Sequence, residues 1–298
     1  MRNSGIGRLV ALAAVVTVAF FVVGLLARPK DTIGPCTVIS RAMLPDVPEA
    51  SGLAISRREP GLIWTHNDSG NAAVLFAIDA AGRPRGHVRV PVQLRDWEAM
   101  SAAPCDSLRL RSGPSSSCLF LGDIGDNSRA RSRVQVLVVP EPAPGDADTR
   151  RPDVYAVSYP DGAHNAEAMF VTGGRLFIIT RDRVGTLYGS VAPLGEDHAI
   201  RLRRISQLGL SAVTDAETSP DATSVVVRTS HEVRIYRTGD LIGGGVTPRM
   251  RIPIDGLREP QGEGVAIGEG GMLYLASEGG ILSRAGRLVT LRCSNLAL

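Results

Sequence analysis

Five short stretches constrain this chain more than any other feature: "PEASGLAIS", "RDWEAMSAA", "HNAEAMFVT", "VTDAETSPD" and "QGEGVAIGE". Each carries an acid with small residues beside it, and most continue into an apolar run. The acids are Glu49, Glu98, Glu167, Asp215 and Glu263, at intervals of 49, 69, 48 and 48 residues. Self-similarity at such a period marks a repeat architecture. After each acidic start comes a segment rich in β-formers: "LIWTHN", "CLFLGDI", "RLFIIT", "SVVVRT" and "MLYLAS". Further strands follow, such as "VQVLVV" and "VYAVSY". Short strands punctuated by Gly, Pro and Asp, without a long 3.6-residue apolar period beyond residue 30, indicate an all-β fold. Four-stranded units of about 40–50 residues indicate a single β-propeller. Five starts predict five blades. A six-bladed ring would need a degenerate unit inside the long second interval.

Ring closure bears on the cysteines. The last unit has "MLYLAS" and "RLVTLRC" but too little chain for four strands, so "CTVISRAM" (36–43) is expected to supply the missing one. A Cys36–Cys293 disulfide would lock that seam. Cys105 and Cys118 flank "RSGPSSS", which reads as a surface insertion stapled by its own disulfide. Four cysteines without CxxC or zinc spacing suggest two disulfides in an exported domain.

Leu9 to Ala27 is an apolar run of 19 residues, close to the length that spans a bilayer as a helix. "GLLARPK" is a poor cleavage site, so residues 1–30 are expected to form an uncleaved transmembrane anchor and residues 31–298 the propeller domain. A cleaved signal, giving a secreted protein, is the alternative. Arg2 and Arg8 before the run are balanced by Arg28 and Lys30 after it, which leaves orientation open on charge alone. The domain is expected outside the cytoplasm. Without those four residues, the 33 basic side chains fall to 29 against 30 acids, so the domain lacks the electrostatic footprint of a nucleic-acid binder. Lys30 is the only lysine, which excludes lysine-nucleophile chemistry in the domain.

In an antiparallel meander, the start of strand one and the end of strand two lie at the same end of the sheet. That places most of the unusual polar residues on one face. The expected ligand face comprises His66, Asn67, Asp68, Asp123, Asp126, Asn127, His164, Asn165, Arg181, Arg228 and Glu278. The five repeated acids, Glu49, Glu98, Glu167, Asp215 and Glu263, are expected to ring the channel mouth. Converging carboxylates need a cation, arginine partners or raised pKa values. Ca²⁺ suits them, being a hard ion that takes six to eight oxygen ligands. The competing reading is structural, with each acid accepting backbone N–H groups of a neighbouring blade. Glu98, Glu167, His66 and Asp96 are candidates for catalysis. Asp96 stands out because no other unit has an acid two residues before its repeated acid. Trp97 is expected to pack between blades.

The ordered set "EASGLA", "HNDSG", "DWEAM", "GDIGDN", "YPDGAHNAEAM", "SPDATSVVVRT", "QGEGVA" and "LYLASEG" resembles a family of bacterial propeller-like proteins that are exported or membrane-tethered. The likeness runs over residues 49–279 and is more distant to phytase- and esterase-like propellers. It implies a propeller fold outside the cytoplasm and carries over no reaction. This chain has Ala99, Asn165 and Ala222 where the family pattern tends to have an acid, Asp and Gly. The functional expectation is a membrane-tethered propeller that binds a small molecule or an envelope protein on its polar face, with Ca²⁺ as a candidate ion. The alternatives are a metal-dependent hydrolase of phosphoesters, lactones or sugars, and a structural member of an envelope complex.

Overall fold

The computed structural model describes residues 31–294 and 296, apart from 112 and 281–283. The anchor expected over residues 9–27 lies outside the described residues. Among the described residues, no helix is long and apolar enough to cross a membrane.

Strands β1 (Thr32–Ile33) and β2 (Cys36–Leu44) come first. One antiparallel sheet then holds β3 (Ala50–Ile55), β4 (Leu62–Asn67), β5 (Val74–Asp79) and β6 (Pro84–Arg89). The next meander holds β7 (Trp97–Pro104), β8 (Ser117–Asp123), β9 (Val134–Pro140) and β10 (Asp153–Ser158). The third holds β11 (Ala166–Thr172), β12 (Arg175–Thr180), β13 (Thr186–Ser190) and β14 (Ala199–Gln207). Parallel pairing of β10 with β14 joins these two edge to edge. The fourth holds β15 (Val213–Thr218), β16 (Ser224–Thr229), β17 (Glu232–Arg237) and β18 (Met250–Pro253). Finally β19 (Gln261–Ile267), β20 (Met272–Glu278) and β21 (Gly286–Cys293) form a sheet that β2 extends on the outside. The architecture is all-β and fits a β-propeller.

The amino-terminal strand supplies the piece the last unit lacks. Cys36 pairs with Cys293 in the β2–β21 ladder, and the two are joined by a disulfide. The second disulfide, Cys105–Cys118, ties the β7–β8 connection. Both pairings match the sequence expectation, and two disulfides point to an oxidising compartment outside the cytoplasm.

Apolar side chains occupy both faces of the inner strands, so each meander must be covered twice. Trp64 and Leu75 pack with Met100 and Leu121, while Phe120 and Val136 pack with Met169 and Ile178. Phe170 and Phe177 meet Val225 and Tyr236, and Val226 and Ile235 meet Val265 and Leu275. Leu53 and Ile63 then pack with Ala276 and Leu288, returning the circuit to its start. Burial of each Leu, Val or Phe here contributes about 1.5–3 kcal/mol. The first strands follow the same circuit: β3 meets β7, β7 meets β11, β11 meets β15, β15 meets β19, and β19 meets β3.

Candidate functional site

The register of the first two strands decides which residues are equivalent. Every β-ladder between a first and second strand is interrupted by a bulge at its opening end. The first residue of each bulge is Ser51, Glu98, Glu167, Thr214 or Glu263. A bulge adds one residue to one strand and re-aims its side chain, which is how these five leave the sheets at one end. The sequence alignment of five acids is therefore corrected: the position holds three acids and two hydroxyls. Glu49 and Asp96 become counterparts, each two residues before the bulged position. Asp96 is thus less singular than its sequence suggests.

Asp215 comes one residue after that position, where the other four units carry Gly52, Ala99, Ala168 and Gly264. It is fully buried. Its Oδ2 accepts the N–H groups of Val265 at 2.7 Å and Leu53 at 3.3 Å, and its Oδ1 that of Ala216 at 2.9 Å. Two of these donors lie in β19 and β3, so Asp215 latches three first strands together. Glu217 repeats the device, accepting the N–H of Ala102 at 3.0 Å. The hydroxyls reinforce it, Ser51 donating to the Glu98 carbonyl and Thr214 to the Glu263 carbonyl. The latch reading thus describes Asp215 and leaves the other acids to be accounted for.

Above the latches lies a cavity of about 310 Å³. Its lining is polar throughout: Ser51, Asp68, Ser69, Glu98, Asn127, Glu167, Arg181, Gln261 and Glu263. Glu98, Glu167 and Glu263 are buried, Asp68 is half-buried, and Glu49 is exposed, where it accepts from Asn71. Arg181 pairs with Glu167. The Gln261 amide bridges Glu263 at 2.9 Å and Glu278 at 2.8 Å. Gly125 brings two acids close, since a Cβ there would fall 2.5 Å from the Asp96 carboxyl and 2.8 Å from Glu98 Oε1. Burial, with the charges of Asp68, Asp96 and Glu263, pushes the Glu98 carboxyl up to about 10 against the pull of Arg181. Asp68, hydrogen-bonded to Glu98, is raised chiefly by burial, and burial also raises Glu263. Burial and then Glu263 push Glu278 up to about 7.

Several expected ligand-face residues are instead committed to structure. The placement of Arg228 there is corrected: it is fully buried in β16, donating to the carbonyls of Gly264 and Ala276 and pairing with Glu259. His66 is also fully buried, stacked on Trp97 with ring centroids 4.0 Å apart, and burial lowers its pKa to about 4. That confirms Trp97 as packing between neighbouring meanders. Asn67 caps the Glu49 N–H. Asp123 holds Arg131 and the Asp96 N–H, while Asp126 accepts the N–H groups of Ala130 and Arg131. Asn165 is hydrogen-bonded to Asn127 and the Asp126 N–H at the rim. His164 sits with Asp161 and Tyr188, away from the cavity lining. Sequence reasoning missed Ser51 and Ser69 as lining residues. The pairs Ser-Gly, Glu-Ala, Glu-Ala, Thr-Asp and Glu-Gly at the bulges were the available signal.

Asp215, pushed up to about 8 by burial, belongs with Glu98 and Glu278 in having a folded pKa above its unfolded value. The folded protein holds protons there that the unfolded chain releases, so stability is lost as pH rises through the folded values. Asp126, Asp161 and Asp182 are lowered by their hydrogen bonds and add stability that is lost only in acid. The melting temperature is therefore expected to fall from about pH 5 to about pH 9, and Glu98→Gln should flatten the decline. Calorimetric scans across that range check this, and a rising profile would contradict the assignment.

Among the described residues, no group of three or more His, Cys, Asp or Glu is arranged to hold a metal ion. The ring of Glu49, Glu98, Glu167, Asp215 and Glu263 does not form as one cluster, because Asp215 faces backbone N–H groups and Glu49 faces solvent. No protein-family model and no curated protein matches this sequence. Among solved structures, the chain is similar to the hydrazine synthase of Kuenenia stuttgartiensis, at a TM-score of 0.41 and 13% identity. That match covers 78% of this chain and 56% of the other, so the chain spans little more than half its length.

Proposed function

We propose that this protein is a five-bladed β-propeller outside the cytoplasm, tethered through residues 9–27, that binds a small polar ligand in the cavity at the mouth of the ring. The observation that carries this reading is the wholly polar lining of that cavity, in which three carboxyl side chains are buried. Burying such groups costs several kcal/mol unless they are paired. Stability of the ring does not demand them, because Asp215, Glu217 and Arg228 already join the inner strands. Ligand sites are more often lined by apolar groups with a few polar ones, so a ligand here would be rich in hydrogen-bonding or charged groups.

The test is a thermal-shift panel on the purified chain with sugars, amines, carboxylates and CaCl₂, the last repeated with EDTA. A ligand at 100 times its Kd stabilises by about 2.7 kcal/mol. Glu98→Gln should abolish the shift for whichever class gives one. If no class raises the melting temperature, the binding reading fails.

A hydrolase is the second reading, favoured by one feature. Glu98, held protonated beside Asp68, would form an acid–base pair of the kind that donates and removes protons in glycosidic or ester cleavage. Turnover of nitrophenyl phosphoesters, lactones or glycosides, lost in both Glu98→Gln and Asp68→Asn, would support it.

A further inference from the structure

The geometry points to an organic cation, an alkylammonium or guanidinium group, as the ligand of this cavity, its charge seated among Asp68, Glu98 and Glu263. This rests on the binding reading above and names its chemistry. The register of the second strands provides the argument. Next after the second-strand partner on the outer side of each bulge lies Asp68, Ile124, Arg181, Ser230 or Glu278, the last still paired with Gln261. The third meander uses that position to supply a counter-ion, Arg181, which pairs with its own bulged acid, Glu167. The fifth meander has an equally buried acid, Glu263, and places a second acid, Glu278, beside it. The first meander places Asp68 against Glu98.

Arg181 is the one basic side chain among the described residues lining the cavity, while the equivalent positions in the meanders of Glu98 and Glu263 hold Ile124 and Glu278. Glu98 is 7% exposed, lines the cavity, and is hydrogen-bonded to the carboxyl of Asp68. The charged groups acting on it are Asp68, Asp96, Glu263 and Arg181. A carboxyl crowded by three other acids would gain from a positive partner with N–H donors. Arg181 against Glu167 shows that a guanidinium fits this wall. A bare metal ion fits less well, because Ca²⁺ needs its oxygens at 2.3–2.6 Å and no such group is assembled. A space of about 310 Å³ suits a small organic group.

Isothermal titration of the purified full chain with 1,4-diaminobutane and methylguanidinium, against glucose, acetate and CaCl₂, tests the inference. One of the two organic cations should bind, and Asp68→Asn should weaken it at least tenfold. Asp68→Arg, which places a guanidinium beside Glu98, should abolish binding and raise the melting temperature of the ligand-free protein. Binding of glucose or acetate without either cation would overturn the inference and leave the binding reading standing. CaCl₂ binding with neither organic cation would also overturn it. If no probe binds, both fall together.

Discussion

Arg228→Met is expected to destabilise the protein by about 3–5 kcal/mol, the cost of leaving one partner of a buried ion pair alone. Arg228 is fully buried in β16 and reaches across to the neighbouring sheet, where it donates to Gly264 O at 2.7 Å and Ala276 O at 2.9 Å and pairs with Glu259 at 2.5 Å. Methionine fills much of the same space but satisfies neither carbonyl and strands the Glu259 carboxyl, which burial already pushes upward. For a domain of this size the melting temperature should drop by on the order of 10 °C. The surrounding sequence is built for this side chain, since a Cβ at Gly262 would lie 2.0 Å from the Arg228 guanidinium. Adding Glu259→Gln to Arg228→Met should recover part of the loss, because the buried charge is removed. Urea unfolding of the single and double variants measures both effects. A single variant as stable as the parent would show that this ion pair does not join the fourth and fifth meanders.

Removing the Cys36–Cys293 disulfide is the second large effect. It closes a separation of 257 residues, and the chain-entropy account assigns such a loop roughly 5 kcal/mol. Cys105–Cys118 closes only 13 residues, for which the same account gives roughly 3 kcal/mol. The native state sharpens the contrast. Along its length β2 is hydrogen-bonded to β21, and β1 adds only two residue pairs on its other side. If β2 frays, Leu44 and Leu288 lose their cover and the circuit of inner strands opens at one place. The double variant Cys36→Ser, Cys293→Ser should therefore unfold at clearly lower guanidinium concentration than Cys105→Ser, Cys118→Ser. Equal midpoints would mean that the outer seam does not limit stability.

Much of the fold is legible along the chain. Alternating and continuous apolar runs such as "SVVVRT" must be covered on both faces, and their spacing leaves few architectures that can cover them. The disulfides follow from the count of four cysteines and from the strand missing in the last unit. The candidate site was less legible, because its geometry depends on bulges. Glu98 and Asp215 look alike in "WEAM" and "TDAE", yet one is the extra residue that leaves the sheet and the other is its neighbour, turned inward to bind three N–H groups. Arg181 and Arg228 both follow an apolar strand. Arg228 still pairs within the ladder, opposite Asp215, whereas Arg181 lies past the end of its own. A shift of one or two residues exchanges a buried latch for a cavity wall, because side chains in a strand alternate sides.

The amino-acid sequence by itself determined the all-β repeat, the closing strand at residues 36–43, both disulfides and the crowding of acids at one end of the sheets. Those properties reside in composition and spacing, which the chain carries before it folds. Tertiary structure decided which acids join strands and which line a common cavity. That choice is set by ladder register across sheets far apart in sequence, as when Asp215 meets Leu53, and spacing along the chain does not encode it.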